Sequence, residues 1–553
     1  MPHAPVLIVG AGPVGQLSAL LLSRHGIASR LIDRRERAST APKAHAVNPR
    51  TLEICESVGV SAARLREMGA RADDAGWVRF VGTLAGPEFG CLPYERQGDS
   101  ALVDTPFPLT NIPQPKFETA LAEAIAREPR IEMMRGIACM GISQRPHGVS
   151  AELEEGSGAR SIFDCDYVIA ADGAGSPTRD RLGITMEGPA ALQHNMMIHF
   201  EADLRRLTQA RPGVLYFLFE PATQGVFIAY DRANTWVLMH PYDPDKETPA
   251  AFDGPRCRAL IAAALGTTPP SLQIRNVSPW TMSAQIAERY RAGRVFLAGD
   301  AAHRFPPTGG LGLNTGVVDA QNLAWKLAAV LKRQAGEALL DTYEAERRPV
   351  AQANCQQSLT NAAKIFDLIG ALHGFDPAKK DERYAAVAEN TADLAAAVEA
   401  QRPHFDSFNL QLGYRYASSA VIGAAELTPI TDIDITNYEP SWLPGAHVPH
   451  RWVTHENARV SLLALLSMDR FTLLAGPAGG VWENAAATSS MNCLSAGKDF
   501  NDETLDWQSM TGLPDDGALL IRPDGHIACR FEKSPADPSH HLHQQMTQLL
   551  ALQ

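Results

Sequence analysis

The chain has 553 residues, enough for about three domains. Apolar residues make up 45%, charged residues 20% and the net charge is −12, with no basic block, which argues against a general nucleic-acid binder. No apolar run reaches membrane-spanning length, and the N-terminus lacks the basic start of a signal peptide. The cysteines (Cys55, Cys91, Cys139, Cys165, Cys257, Cys355, Cys493 and Cys529) are scattered, with no CxxC and no metal-binding spacing, as expected of a reduced, cytoplasmic protein with no metal site.

VLIVGAGPVGQLSALLLSRHGIASRLIDRRE begins at Val6. Val6 to Val9 predict a short buried parallel strand, and Val14, Leu17 and Leu21 recur at helical spacing behind it. Between them Gly10, Gly12 and Gly15 form GxGxxG, with Pro13 suited to the first helical position. Gly10 permits a tight turn, Gly12 lets the backbone approach a pyrophosphate, and Gly15 lets the helix pack close to the strand. The helix start offers unpaired N–H groups and a positive dipole end to the anion. A second strand from Ser29 ends at Asp33, placed to accept hydrogen bonds from an adenosine ribose, with Arg34 beside it. Strand, helix, strand and carboxylate follow in the order that dinucleotide binding needs.

Two later stretches repeat the theme. DYVIAADGAGSPTR, from Asp166, predicts a strand ending at Asp172-Gly173, and RVFLAGDAAH, from Arg294, one ending at Gly299-Asp300. In a doubly wound sheet such strand ends share one crevice, so three of them predict a large ligand. After Asp300 come Pro306 and Pro307, then the glycines of TGGLGLN and an apolar helical pattern predicted to begin near Thr315. Prolines stiffen such a loop, and glycines let backbone lie close to a flat ring.

These three motifs resemble the signatures of FAD-dependent aromatic hydroxylases, the single-component flavoprotein monooxygenases of the p-hydroxybenzoate hydroxylase fold. The phenol hydroxylase and 2,4-dichlorophenol hydroxylase branch is the nearer likeness. It covers nearly the whole chain and is strongest over 6–60, 165–185 and 290–350. The resemblance implies an α/β + β architecture. A Rossmann-like FAD-binding domain would take 1–185 and 286–360, and an interleaved β-sheet substrate domain 186–285. A helical bridge would follow over 361–435, then a thioredoxin-like C-terminal domain over 436–553.

By the same resemblance Asp300 would bind the ribitol chain of FAD. Pro306, Pro307 and the backbone of Gly310, Gly312, Leu313 and Asn314 would lie along the isoalloxazine, with Pro306 also near the substrate. A helix start aimed at the flavin N1–C2=O edge would stabilise charge that develops there on reduction. His303, beside the loop, reads more simply as structural.

PKAHAVNPRTLEI, from Pro42, corresponds to a segment whose His faces the substrate and whose Arg lies near the cofactor, here His45 and Arg50. A histidine can take the proton of a phenol, activating its ortho and para carbons, or it can simply anchor the loop. TNIPQPKFETAL, from Thr110, resembles the segment with a flavin-binding Gln, here Gln114. Asn111 stands where the branch usually has Asp; it can hydrogen-bond but cannot act as a base. VLYFLFE, GVFIAYD and TWVLMH predict three strands that would roof the flavin. Tyr216, Phe227 and Tyr230 on them are candidate pocket walls or plain core. No arginine matches the one the branch often places on the middle strand, which favours a neutral, apolar phenolic ring. Arg232, just past that strand, is expected to face solvent.

Near the end, ALLIRPDGHIACRF predicts a hairpin turning at Pro523-Asp524-Gly525. Without CxxC, disulfide exchange is not expected there, and Cys529 reads as packing.

The implied activity is hydroxylation of a phenol, naphthol or polyketide-like aromatic, ortho to its hydroxyl. FAD, NADPH or NADH, and O2 would act through a flavin C4a-hydroperoxide. A homodimer with a small-molecule substrate, and neither nucleic-acid nor membrane partners, completes the expectation. Flavin halogenases of this fold carry WxWxIP, which is absent here. A flavoprotein that binds an aromatic ligand without oxidising it stays open, as does another oxidation on the same fold.

Overall fold

The computed structural model describes residues 4–269, 271–373, 381–382, 384–385, 392–424 and 434–552. Parts of the expected helical bridge, 374–380, 383, 386–391 and 425–433, lie outside the described residues.

The apolar runs of the first third pair as the sequence suggests. Val295–Leu297, Tyr167–Ala170, Val6–Val9, Ser29–Asp33 and Ile131–Arg135 lie side by side, all parallel, with Arg291–Ala292 antiparallel at one edge. The three motif-bearing strands are therefore immediate neighbours, and their C-terminal ends open on one side. One face of the sheet is covered by the helices Pro13–Arg24, Gln114–Ile125 and Leu311–Leu331. The other packs on a three-stranded antiparallel sheet, Ile137–Arg145, Gly148–Glu155 and Arg160–Cys165.

A second sheet has seven strands, in the order Gln273–Met282, Gln193–Glu201, Thr235–Tyr242, Gly225–Asp231, Leu215–Leu218, Trp77–Val81, Glu88–Pro93. It contains the three predicted strands, and it also recruits two from 77–93, well before 186. Leu215–Leu218 runs parallel to Trp77–Val81, a pairing made across more than a hundred residues. The helix Gly254–Leu265 covers one face of this sheet through Cys257, Ile261, Ala264 and Leu265.

The helix Thr342–His373 joins the two bodies. Tyr343, Ala351 and Cys355 pack in the core of the first, while Ile365, Leu368 and Leu372 pack with Phe80, Phe89 and Phe217 of the second. The last part of the chain holds a four-stranded sheet. Asn492–Ser495 and Thr472–Ala475 are parallel and joined through the helix Gly480–Thr488. Ala518–Ile521 and Ile527–Phe531 form the predicted hairpin, and the helix Pro538–Leu549 packs against Gly480–Thr488. Among the described residues no helix is long and apolar enough to cross a membrane.

Candidate active site

The glycine cradle has the shape its spacing implies. Gly10 sits at φ 105°, and a Cβ there would stand 2.3 Å from Ala171 O, so only glycine lets the ends of Val6–Val9 and Tyr167–Ala170 close up. A Cβ on Gly15 would lie 1.9 Å from Gly10 O, whereas one on Gly12 would meet nothing within 4 Å. Helix Pro13–Arg24 begins with Pro13 in its first turn and no side-chain cap, leaving its first amides for an anion. Asp33 is buried at the end of its strand; its carboxylate accepts from Ala11 N at 3.0 Å and from the Arg35 backbone and side chain. Burial would raise its pKa, but these bonds outweigh it and hold the carboxyl below its usual value. Arg34 is exposed next to it. Asp172 accepts from Ser176 Oγ and from Thr178 N, which shapes the neighbouring turn.

The loop after Gly299 is held from behind. Asp319, fully buried, accepts from Gly299 N at 3.1 Å and from Arg347 Nε at 2.8 Å, and lies 2.7 Å from His303 Nε2. His303 is thus a structural residue that braces the loop. Asp300 itself is exposed just past the strand Val295–Leu297. The surrounding protein desolvates its carboxyl and pushes its pKa up, against the pull of His303, Lys43 and Arg304. Pro306 is buried and Pro307 exposed. The helix starts at Leu311, four residues earlier than expected, because Gly310 in the left-handed region (φ 64°) turns the chain directly into it. Its first turn therefore carries Gly312, Leu313 and Asn314, and it too lacks a side-chain cap. A Cβ on Gly312 would meet nothing within 4 Å. Asn314 is buried and fully engaged: its Oδ1 accepts from Asn48 N and Thr51 Oγ1, and its Nδ2 donates to Ala46 O and Gly310 O. It stitches the loop to the segment that carries His45. Two uncapped helix starts, two glycines open to approach and the carboxylates Asp33 and Asp300 at two of the strand ends fit a dinucleotide with a flat ring at one end.

His45 stands beside that loop. The hypothetical Cβ of Gly310 lies 3.0 Å from Ala46 Cβ and 3.5 Å from Tyr94 OH. The His45 ring is 5.8 Å, centroid to centroid, from both Tyr94 and Tyr230. Its Nδ1 lies 2.8 Å from Asn111 Oδ1, across the short antiparallel pairing of Ala46–Val47 with Thr110–Asn111. Burial lowers its pKa, only partly offset by Asn111, so the ring is neutral near pH 7. Gln114 lies in the same corner, its Oε1 accepting from Ala44 N at 3.3 Å.

One face of the seven-stranded sheet looks over this corner. Tyr230, Ile228 and Val237 form a small cluster with the half-buried Met197, Leu215, Val226 and Met239, cross-strand neighbours on that face. Tyr230 OH is tied to Lys43 O. Tyr216 and Phe227 point to the other face, because side chains alternate along a strand. Both are fully buried under helix Gly254–Leu265, with Tyr216 OH donating to Arg211 O, so the structure places them away from His45. Arg50 also turns elsewhere: its guanidinium donates to Glu53 and to His447 Nε2, against the C-terminal part of the chain. Arg232 does not face solvent as expected; it is three-quarters or more buried, bonding Asp74 and Thr208 O. The sheet's other arginines are likewise paired, Arg79 with Glu88 and Arg275 with Glu201.

Sequence reasoning missed Tyr94 and Gln97. Neither lies in a motif, and both enter the site only because Glu88–Pro93 adds to the edge of the distant sheet.

This is the build of a flavin-binding α/β protein, with a dinucleotide cradle at the strand ends of one sheet and an apolar face on a second sheet beside His45. The chain matches the FAD binding domain family over residues 3–358 and the aromatic-ring hydroxylase C-terminal family over residues 441–551. Among curated proteins it is 35% identical to tetracenomycin A2 monooxygenase-dioxygenase of Streptomyces glaucescens, over 99% of this chain and 97% of that one. It is 31% identical to 2,4-dichlorophenol 6-monooxygenase of Cupriavidus pinatubonensis, over 99% and 96%. Among solved structures, the flavin-dependent monooxygenase PieE in complex with FAD and substrate superimposes with a TM-score of 0.92 at 31% identity, covering 100% of this chain and 99% of that one. The chain belongs to the FAD-dependent aromatic hydroxylases and is an FAD-dependent aromatic monooxygenase.

Proposed function

We propose that the protein hydroxylates a phenolic ring ortho to its hydroxyl, using NADPH or NADH and O2, with His45 taking the phenol's proton. The observation that carries this reading is the placement of His45, hydrogen-bonded through Nδ1 to Asn111, between the Gly309–Asn314 loop and an apolar sheet face. When bound, FAD supplies the redox chemistry: it takes two electrons from the nicotinamide and delivers one atom of O2 to the ring, the other leaving as water. The residues do the rest. Asp33 and the Gly10–Gly15 turn bind the adenosine and pyrophosphate, Asp300 the ribitol, and Gln114 and the loop backbone the ring system. Abstraction of the phenol proton at His45 Nε2 pushes electron density onto the ortho carbon, where an electrophilic oxygen attacks.

The row Met197, Val226, Ile228, Val237 and Met239 is broad and apolar throughout. That suits a neutral, extended aromatic better than a small carboxylate, in keeping with relatives named for tetracenomycin and other polyketides. The strand order of the first sheet supports the Rossmann-like assignment. A parallel pair with a crossover helix, followed by an antiparallel hairpin and a helix, supports the thioredoxin-like one. The cytoplasm as its compartment and a homodimer complete the proposal.

Anaerobic stopped-flow reduction by NADPH and by NADH tests it, run alone and with phenol, 1-naphthol and a polycyclic phenol. Polycyclic phenols are expected to accelerate flavin reduction most. Slow reduction under every condition would favour a flavoprotein that binds its ligand without oxidising it.

A further inference from the structure

Two buried side-chain amides behind His45 are arranged in a single unambiguous order. Gln97 is 8% exposed and Asn111 2%. Gln97 Nε2 lies 2.7 Å from Tyr94 O and 3.0 Å from Ala75 O. Both are carbonyl oxygens, which only accept, so the Gln97 group facing them is its NH2, with both hydrogens used. Its Oε1 must then face Asn111, 3.0 Å away, and Asn111 must present its own NH2 to it. That turns Asn111 Oδ1 toward His45 Nδ1 at 2.8 Å. An amide oxygen only accepts, so the hydrogen of a neutral His45 sits on Nδ1. Nε2 keeps its lone pair and makes no hydrogen bond among the described residues. Two backbone carbonyls thus dictate the tautomer of a histidine two side chains away.

We infer that Gln97 is a positioning residue that, through Asn111, holds His45 in the Nδ1–H form and so keeps Nε2 ready to accept the proton of a phenol. This rests on the reading of His45 as the proton acceptor. It also accounts for an asparagine where the related branch usually carries an aspartate. An ionised aspartate would accept from His45 without further help, whereas an amide can turn over and needs a partner that fixes which end faces the ring.

Two measurements on the FAD-loaded enzyme test it. Proton–nitrogen spectra of the 15N-histidine-labelled protein, with His45 identified by its loss in His45→Asn, are expected to show a pyrrole-type Nδ1 and a pyridine-type Nε2. In Gln97→Met, which can no longer orient Asn111, the two resonances are expected to move toward a mixture of tautomers. The second compares substrates. With a phenol that is neutral at the assay pH, kcat/KM of Gln97→Met is expected to fall by about 10- to 100-fold, at or below the lower end of the roughly 100- to 10,000-fold span of a whole general base, because His45 itself is kept. With a nitro- or polyhalogenated phenol already ionised at that pH, it is expected to stay within about twofold of wild type, since no proton has to be removed. A loosened fold would lower both alike. An Nε2–H tautomer in the wild type, or equal losses on both substrates, overturns the inference. If His45→Asn also treats the two substrates alike, the role of His45 as base fails with it.

Discussion

Asn314 shows how much of the site is backbone geometry set by side chains that never touch the reacting atoms. The resemblance assigns it to the cofactor, yet its amide is spent on Asn48 N, Thr51 Oγ1, Ala46 O and Gly310 O. What it offers the flavin is position, since the helix start and the His45 segment are fixed to each other through it. Replacing it with Ala strands four buried polar groups. At about 0.5–1.5 kcal/mol for each of the four lost bonds, Asn314→Ala is expected to cost about 2–6 kcal/mol. FAD affinity should weaken as well, measured by thermal unfolding and by flavin fluorescence on dilution. An unchanged melting temperature would mean that the loop and the His45 segment hold their places without it.

At the scale of elements, the contact of two glycines with one valine sets how the cofactor half is assembled. A Cβ on Gly316 would stand 2.7 Å from Val14 Cγ2 and 2.9 Å from Gly299 Cα, and one on Gly299 would stand 2.9 Å from Val14 Cγ2. Helix Leu311–Leu331, helix Pro13–Arg24 and the end of strand Val295–Leu297 therefore meet with no atom to spare. Gly316→Ala should force the two helices apart, costing about 1–3 kcal/mol as overpacking usually does. Flavin should be lost from the purified protein, which its absorbance at the yellow band reads directly; full retention would contradict the contact. This meeting was half legible. The runs at Val6, Tyr167 and Val295 are short, apolar and closed by Gly or Asp, so their existence and shared edge followed from local chemistry. Gly316, inside an apolar helical pattern, carries no such mark, because its reason is a neighbour three hundred residues away. The same limit hid the strands in 77–93, and with them Tyr94 and Gln97. It also left open which face Tyr216 and Phe227 would take, which the pairing register alone decides.

For the molecule as a whole, a buried group of charges joins the C-terminal part to the flavin-binding body. Glu346 accepts from Lys326 Nζ at 2.7 Å and from Arg522 at 2.6 and 2.9 Å; Arg522 also pairs with Asp524, which accepts from Trp325 Nε1 at 3.1 Å. Asp524 looked like a plain turn residue in the sequence; here the hairpin turn is pressed into the protein interior. Burial lowers the Lys326 pKa to about 8, while its partners draw Glu346 well below the usual range. Glu346→Gln leaves two cations inadequately matched and is expected to destabilise by about 3–5 kcal/mol, read as a drop in urea midpoint. Acid acts on the same scale. Burial holds His25 at about 4, His404 at about 3, and His447 and His526 well below 6.5. The unfolded chain takes up protons below about 6.5 that these folded sites refuse. Stability should therefore fall as pH drops from about 6.5 toward 4. Glu95, raised to about 7 by burial, works the other way: its contribution is present at low pH and fades as pH rises through 7. Melting temperatures across that range check the balance; a flat acid limb would mean that the histidines are not buried in solution.

The Lys326–Glu346–Arg522–Asp524 group also bears on how such a gene can change. Lys326 and Glu346 lie in the segment matched by one family and Arg522 and Asp524 in the segment matched by the other. A recombination breakpoint between 347 and 521 would keep the parental Lys326 and Glu346 but draw the other pair from a different parent. Unless the donor supplies the same charges, the hybrid inherits an ion in the interior with nothing to neutralise it. The two segments are bound to drift as a couple, and shuffled libraries drawn from relatives should yield folded hybrids chiefly where all four charges are kept.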